Sequence, residues 1–380
     1  MALTTDSATT STPARRVLSG MRPTGKLHLG NYVGALKNWV RLQHEANPDG
    51  SRKYECYFFI ADYHALTTDY ADPRNVAQNT LDVMLDWLGA GLDPGICTLF
   101  VQSHVPQHAE LHLLLSMITP LGWLERVPTY KEQQENLSGK DLSTYGFLGY
   151  PLLQSADILI YQADFVPVGQ DQVAHVELTR EVARRFNQFY PPPGYVPPTH
   201  AQLKETLVAG GAQRDTPAGV QPILPEPQVL LTPSPKLPGT DGRKMSKSYG
   251  NTILMTDPEP VIRQKLKPMV TDPARVRRTD PGDPDKCPVG DLHKVFSTPE
   301  TMAKVYEGCR TAGIGCLECK GWAADSIVRE LAPIQERRAR YNEDSAREVL
   351  RDGAVRARKR ASKTMAEVNE AMHLLPEMTR

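Results

Sequence analysis

Short apolar runs alternate with amphipathic segments along the first half of the chain. The runs at residues 16–20, 56–61, 98–101 and 165–169 predict buried strands. Apolar residues recur at helical spacing after the first run, at Leu29, Val33, Leu36 and Val40. Further helices are predicted from Pro73 past Leu88, over 111–118 and over 171–187.

This order of elements predicts an α/β fold with a Rossmann-like parallel sheet. Alternating strands and helices bury such a sheet on both faces, and ligands bind at the carboxyl ends of its strands. We assign residues 16–255 to this domain. Because 12 of the 32 prolines fall within residues 191–240, we expect an irregular insertion over about 190–235. The chain is expected to rejoin the domain near residues 229–231.

The last third of the chain has a helical pattern. Ala361, Met365, Val368 and Met372 again recur at helical spacing. Residues 256–380 are therefore predicted to form a second, helical domain, whereas the Ser/Thr-rich residues 1–15 are predicted to be a disordered tail.

Composition adds limits on the class of protein. The 380 residues are 40% hydrophobic and 23% charged, which is typical of a globular protein. The 44 basic and 44 acidic residues balance, which excludes a wholesale polycation. No apolar stretch reaches the roughly 20 residues of a membrane helix, and the first residues lack a signal-peptide core. We therefore expect a cytoplasmic protein with reduced cysteines.

Two segments carry the most specific chemistry. The first is PTGKLHLGN at 23–31, between a predicted strand and a predicted helix, and the second is KMSKS at 244–248. Glycine beside a helix start lets a nucleotide approach closely, and the helix amino terminus favours phosphate. His28 and Asn31 can donate to phosphate oxygens, while Lys244 and Lys247 can neutralise a leaving pyrophosphate. The pairing of the two segments predicts nucleotide chemistry.

These segments resemble the HIGH and KMSKS motifs of class I aminoacyl-tRNA synthetases. Asn31 stands where the second histidine of the first motif is usual, a change common in the tryptophanyl and tyrosyl subclass. The similarity to bacterial-type tryptophanyl-tRNA synthetases extends to SADILIY at 155–161 and VPVGQDQ at 166–172. It implies that tryptophan and ATP with Mg²⁺ form tryptophanyl-adenylate, whose acyl group then passes to tRNA(Trp).

The resemblance also implies the residues of the ATP site. His28, Lys244 and Lys247 are the expected catalytic residues. The other expected ATP contacts are Arg22, Pro23, Thr24, Gly30, Asn31, Gly169, Gln170, Asp171, Leu237, Met245, Ser246 and Ser248. Asp171 is expected to accept hydrogen bonds from the ribose hydroxyls, although a lone aspartate at this position is also a common helix cap.

Asp157 is the central residue of the expected tryptophan site. The indole N–H only donates, so a pocket that recognises tryptophan needs a buried acceptor, and Asp157 matches the family residue that supplies it. Val166 and Val168 are expected to flank the ring. Tyr150 and Gln172 are expected to hold the ammonium group, and Gln154 lies one turn before Asp157. His64 is expected to contact the carboxylate, with a packed core histidine as an equal alternative.

Four cysteines remain after the isolated, apolar Cys56 and Cys97. Cys287, Cys309, Cys316 and Cys319 suit a tetrathiolate site, and their spacing alone leaves zinc and a [4Fe–4S] cluster open. A subgroup of bacterial tryptophanyl-tRNA synthetases has almost this spacing and holds a [4Fe–4S] cluster near the anticodon region. The resemblance therefore implies a cluster here, in a helical domain that recognises the anticodon.

Two other functions remain open at this point. A tyrosyl-tRNA synthetase shares both motifs, and only the amino acid that drives pyrophosphate exchange separates it from a tryptophan enzyme. An accessory paralogue would bind or adenylate tryptophan without charging tRNA.

The family further implies a homodimer, for which the apolar segment 111–124 is the predicted interface.

Overall fold

A computed structural model describes residues 14–128, 142–209, 211, 213, 220–232 and 237–375. The predicted tail at 1–15 falls almost wholly outside the described residues, as do parts of the predicted proline-rich insertion.

Five parallel strands form one sheet, in the spatial order β3-β2-β1-β4-β5. The strands are β1 Arg15–Met21, β2 Tyr54–Ile60, β3 Thr98–Val101, β4 Phe165–Val168 and β5 Gln228–Leu231. Each of the four predicted strands coincides with one of them, and β5 forms where the chain was expected to rejoin the domain. The predicted α/β fold with a parallel sheet is confirmed.

Helices cover both faces of this sheet. In the first part of the chain they are α1 (Leu29–Asn31, a π-helical Tyr32–Leu36, then Lys37–Gln43), α2 Asp62–Asp69, α3 Val76–Ala90, α4 Gln107–Ser116, α5 Leu121–Glu125, α6 Tyr145–Ile160, α7 Val173–Phe189 and α8 His200–Val208. Helix α8 lies within the proline-rich insertion, where its first turn is capped by the Thr199 hydroxyl. That insertion is therefore less irregular than its proline content indicated.

The chain after β5 is helical, as expected. Its helices are α9 Glu259–Leu266, α10 Pro288–Phe296, α11 Pro299–Arg310, α12 Cys316–Arg338 and α13 Glu343–Ala371. Proline occupies the first position of α10 and of α11, where the missing N–H costs no helical hydrogen bond.

The sheet separates two apolar cores. Successive strand residues point to opposite faces, so Phe58 and Leu99 pack into one core while Phe59 and Phe100 pack into the other. Helix α12 contributes to the first core through residues such as Ile327, and α13 contributes to the second.

Helix α13 packs directly on the sheet. Its predicted apolar face, Ala361, Met365 and Val368, is buried in the same core as Phe100. Helix α13, the last helix of the predicted second domain, therefore shares a core with the sheet of the first domain. The small residues of α13 permit its close approach to β3. The assignment of residues 256–380 to anticodon recognition stays a prediction.

Candidate active site

Two cavities lie at the carboxyl ends of the central strands. β1 has β2 on one side and β4 on the other, so the chain order reverses at β1. A crevice at such a switch point is the usual ligand site of an open α/β sheet. The smaller cavity has a volume of about 260 Å³ and the larger one about 1060 Å³.

All seven residues predicted to contact tryptophan line the smaller cavity. They are His64, Tyr150, Gln154, Asp157, Val166, Val168 and Gln172. Helical spacing puts Tyr150, Gln154 and Asp157 on one face of α6, and strand alternation points Val166 and Val168 to the same side of β4. A cavity with two valines on one wall and a carboxylate on another suits a flat, apolar ring with one polar atom.

Three donors surround the carboxylate of Asp157. Its Oδ1 accepts from Gln102 Nε2 at 2.7 Å and from His108 Nδ1 at 2.6 Å. Its Oδ2 accepts from His64 Nε2 at 2.8 Å. The residue is 1% exposed, and burial alone would raise the pKa of Asp157, but the hydrogen bonds from His108 and His64 outweigh burial and hold it well below its usual range. Asp157 is therefore ionised and only accepts.

His64 has a different neighbour from the one expected for it. Its Nε2 donates to Asp157 Oδ2, and its side chain lines the cavity beside that carboxylate. The expected contact of His64 with the tryptophan carboxylate stays a prediction.

The larger cavity collects most of the predicted ATP site. Nine of the predicted residues line it: His28, Gly30, Asn31, Gly169, Gln170, Asp171, Leu237, Lys244 and Met245. Asp171 is exposed in the 3₁₀ turn Gln170–Gln172 that follows β4. Its carboxylate accepts from Gln172 Nε2 at 3.2 Å, and its contact with a ribose stays a prediction.

The two motif segments meet in the structure. Leu29 N–H donates to Ile253 O at 2.9 Å, and Met255 N–H donates to Leu27 O at 2.8 Å, so the chain after KMSKS pairs with the first motif. Lys247 Nζ donates to Thr24 O at 2.6 Å across the same junction. Two segments that lie more than 200 residues apart in sequence therefore form one continuous surface.

His28 is neutral in this surface. Burial, followed by the charges of Lys247 and Lys244, lowers the pKa of His28 to about 4. The neutral imidazole can donate one N–H without adding charge. Asn31 Oδ1 accepts from His28 N–H at 3.1 Å, which leaves the amide NH₂ of Asn31 to donate to a ligand.

Other predicted ATP residues lie outside the larger cavity. Pro23 is buried, while Thr24 and Ser248 are exposed beside the junction, together with the half-buried Ser246 and Lys247. Arg22 lines the smaller cavity, where its guanidinium donates to Thr68 and lies 3.8 Å from Asp69. The structure therefore places Arg22 at the smaller cavity rather than at the larger one.

Asn251 holds the KMSKS loop, a role that the sequence reasoning missed. Its Oδ1 accepts from Ser246 N–H at 2.8 Å, and its Nδ2 donates to Asp241 Oδ1 at 2.7 Å. Gln102 and His108 were missed as well. Their one signal is that both follow the carboxyl end of β3, the edge at which ligands of such sheets bind.

The four candidate metal-ligating cysteines lie at neighbouring helix ends. Cys287 precedes α10, Cys309 is near the end of α11, and Cys316 and Cys319 form the first turn of α12. Burial, followed by the charges of the other three thiols, raises the pKa of Cys319 to about 12. Within the part of the chain that the structure describes, no group of three or more His, Cys, Asp or Glu side chains has a geometry that could hold a metal ion.

The sheet, its paired loops and its two cavities define a class I aminoacyl-tRNA synthetase. The chain matches the family described as tRNA synthetases class I (W and Y) over residues 10–332, and it belongs to that family.

The similar proteins are on the tryptophan side of this family. The tryptophan–tRNA ligase of Ralstonia nicotianae is 53% identical over 94% of this chain and 98% of its own. The tryptophan–tRNA ligase of Thermotoga maritima is 50% identical over 95% of this chain and 99% of its own. A solved tryptophanyl-tRNA synthetase from Campylobacter jejuni, complexed with ADP and tryptophan, has a TM-score of 0.76 at 30% identity, covering 94% of this chain and 100% of its own. No helix among the described residues is long and apolar enough to cross a membrane.

Proposed function

We infer that the chain is an ATP-dependent tryptophan–tRNA ligase. It activates L-tryptophan with ATP to tryptophanyl-adenylate and transfers the acyl group to tRNA(Trp). The observation that carries this function is the ionised, buried Asp157 in a small apolar cavity, next to a larger cavity that is lined by His28 and Lys244 of the two motifs. A donor-only indole N–H is the group that such a carboxylate can recognise.

The chemistry needs positioning and charge stabilisation rather than an enzyme nucleophile. The tryptophan carboxylate attacks the α-phosphate, and pyrophosphate leaves with the electrons of the broken P–O bond. His28 and Asn31 donate to phosphate oxygens from the first motif, while Lys244 and Lys247 neutralise charge on the leaving group from the second. Mg²⁺ enters with the nucleotide and screens its phosphate charges.

Amino-acid-dependent pyrophosphate exchange tests this function. Each of the twenty amino acids is supplied with ATP and labelled pyrophosphate, and charging of total tRNA is measured in parallel. We expect exchange with tryptophan alone and charging of tRNA(Trp). Exchange driven by tyrosine would identify the tyrosine enzyme, and exchange without charging would identify an accessory paralogue.

We propose that residues 256–380 recognise the anticodon of tRNA(Trp), after a catalytic domain at 16–255. Support comes from the helical content of this region and from the family to which the chain belongs.

We also propose a cytoplasmic homodimer with the segment 111–124 at its interface, because Leu113, Met117 and Leu121 are more than half exposed there. Sedimentation of the wild type against Leu113→Glu tests the dimer, which this variant should dissociate.

We propose that Cys287, Cys309, Cys316 and Cys319 hold a [4Fe–4S] cluster with a structural role. Their spacing supports it, as does the position of Arg275, whose Nη1 lies 3.8 Å from Cys309 Sγ and can offset thiolate charge. No redox step in catalysis is expected, because the activation of tryptophan by ATP and its transfer to tRNA involve no change of oxidation state.

Anaerobic purification followed by absorbance, iron and sulfide analysis tests the cluster. We expect stoichiometric iron and sulfide in the wild type, none in Cys316→Ser, and wild-type amounts in Cys97→Ser. Cys97 is the matched control because its buried thiol bonds only to Gln43 and to a backbone carbonyl. Zinc without sulfide, or neither metal, would reject the cluster.

A further inference from the structure

Behind the tryptophan cavity lies a chain of hydrogen bonds that the catalytic motifs do not include. His108, in the first turn of α4, is fully buried, and it does not line the cavity. Its Nδ1 lies 2.6 Å from Asp157 Oδ1, and its Nε2 lies 2.8 Å from the Tyr161 hydroxyl.

The ionisation of Asp157 determines the direction of every bond in this chain. An ionised carboxylate only accepts, so Nδ1 of His108 carries the proton and donates. The other ring nitrogen, Nε2, then accepts, and the Tyr161 hydroxyl donates to it. Burial raises the pKa of Tyr161 well above its ordinary value, which keeps this hydroxyl protonated.

The carboxylate of Asp157 has one acceptor site that no protein donor occupies in these hydrogen bonds. An ionised carboxylate has about four lone-pair sites. Gln102 and His108 occupy the two on Oδ1, and His64 occupies one on Oδ2. The one open site is therefore on Oδ2, the oxygen next to His64, and His64 itself lines the cavity.

The packing around His108 holds its ring in this orientation. The imidazole lies 5.8 Å from the Phe59 ring, 6.0 Å from Phe100 and 5.4 Å from Tyr161, measured between ring centroids. An imidazole held on three sides and bonded at both nitrogens cannot turn away from the carboxylate without leaving Tyr161 unpaired.

We propose that His108 is a positioning residue for tryptophan recognition. The Tyr161 hydroxyl orients its imidazole, which donates to Oδ1 of Asp157. With Gln102 and His64 also donating, a single acceptor site remains for the indole N–H, on Oδ2. This inference rests on the proposed function and adds the residue that fixes the orientation of its central carboxylate.

Two variants of His108 distinguish the effect of its Nδ1 hydrogen-bond donor from the effect of side-chain size. The amide nitrogen of asparagine reaches the place of Nδ1, so His108→Asn keeps the donor to Asp157. The longer His108→Gln reaches the place of Nε2 and loses that donor. Each variant is assayed by pyrophosphate exchange with L-tryptophan and with 3-(benzothiophen-3-yl)alanine, whose ring has sulfur in place of the N–H.

We expect His108→Gln to raise the KM for tryptophan about tenfold, since a hydrogen bond to a charged group is disturbed. His108→Asn should raise it about threefold or less. For the benzothiophene substrate, and for ATP, both variants should stay within about twofold of the wild type, because neither uses the open site. A loss in kcat/KM of the same size for both amino acids, or no loss for tryptophan, would overturn the proposal.

Tyr161→Phe covers the case in which His108→Gln does not fold. It removes only the hydroxyl that orients the imidazole, so a loss for tryptophan without a loss for the benzothiophene substrate is expected. Equal behaviour of the two substrates would reject the proposal. A wild type that does not use tryptophan would instead reject the proposed function, so the two failures are distinct.

Discussion

At the scale of single residues, the site combines one fixed acceptor with several fixed donors. Asp157 is surrounded by donors on the protein side and presents its remaining lone pair to the cavity. At the junction of the two motifs, Lys247 Nζ donates to Thr24 O, and His28 is neutral. In the proposed function, Asp157 accepts from the indole and the motif residues donate to the phosphates, so substitutions in the two places should have separable effects.

Asp157→Asn should weaken the use of tryptophan and leave the KM for ATP unchanged. The amide loses charge assistance, and its NH₂ must face either His64 or the pair Gln102 and His108, all of which donate. We expect a cost of about 1–3 kcal/mol, or roughly 5- to 150-fold in kcat/KM for tryptophan. Pyrophosphate exchange measures it, with Asp352→Asn on the exposed face of α13 as the control. An unchanged kcat/KM would remove Asp157 from the binding role.

Lys247→Ala should slow adenylate formation and leave the KM for tryptophan nearly intact. Its charge is most useful as negative charge develops on pyrophosphate, so kcat should fall by about 10²- to 10³-fold. Single-turnover kinetics check this against Lys204→Ala, which removes an exposed lysine from α8. A higher KM with a constant kcat would make Lys247 a ground-state binding residue and contradict the assignment.

The sequence revealed the residues that line the two cavities better than the residues that support them. Asp157, Val166 and Val168 belong to contiguous motifs, so their chemistry and spacing indicate their role directly. His108 and Asn251 act through other side chains, and nothing in the local pattern distinguishes a supporting histidine from any other buried histidine. Only folding brings His108, 49 residues from Asp157 in sequence, next to its carboxylate.

At the scale of elements, strands were predicted more accurately than helix boundaries. β3 begins and ends where its apolar run does, because a fully buried strand has no polar alternation to obscure it. The predicted helix after β1 is confirmed in position, but its middle is the π-helical Tyr32–Leu36, which periodicity cannot reveal. The packing of α13 on β3 was not predicted, because it depends on a close approach of two backbones.

Gly353→Ala and Gly321→Ala should change stability in opposite directions. A Cβ on Gly353 would lie 1.7 Å from Leu99 O, so α13 must move off β3 at a cost of about 1–3 kcal/mol in the free energy of unfolding. Gly321 in α12 has no atom within 4 Å of such a Cβ, and alanine there should stabilise by about 0.5–1 kcal/mol. Urea unfolding measures both. A shift of the same sign in the two variants would refute the close packing of α13.

At the scale of the whole molecule, α12 runs from the cysteines Cys316 and Cys319 to the neighbourhood of the first motif. Its first turn contains Cys316 and Cys319, and its last turn contains Arg338. A helix of this length spans about 35 Å. Near its carboxyl end, Glu330 accepts from Tyr32 Oη at 2.7 Å, and Gln335 donates to Met255 O at 2.8 Å. The helix therefore contacts the residues that follow each of the two motif segments.

The buried Asp86 joins the last turn of α12 to the first motif. Its Oδ2 accepts from Leu27 N–H, one residue before His28, at 2.7 Å, and its Oδ1 accepts from Arg338 Nε at 2.6 Å. The side chain is fully buried, and burial raises the pKa of Asp86 although both of these donors oppose the shift. One carboxylate thus ties α3, the first motif and the end of α12 together.

Removing one partner of this pair should cost more than removing both. Arg338→Met leaves a buried carboxylate without its cation and should lower the free energy of unfolding by about 3 kcal/mol. Asp86→Leu combined with Arg338→Met removes the charge as well, so the double variant should regain about 1–2 kcal/mol of that loss. Because Leu27 N–H then lacks its acceptor, the KM for ATP should rise in the double variant while the KM for tryptophan stays constant. Urea unfolding of the two single variants and the double variant gives the coupling energy, and pyrophosphate exchange gives the KM values. Strictly additive free energies, or equal changes in both KM values, would show that Asp86 does not join α12 to the nucleotide loop.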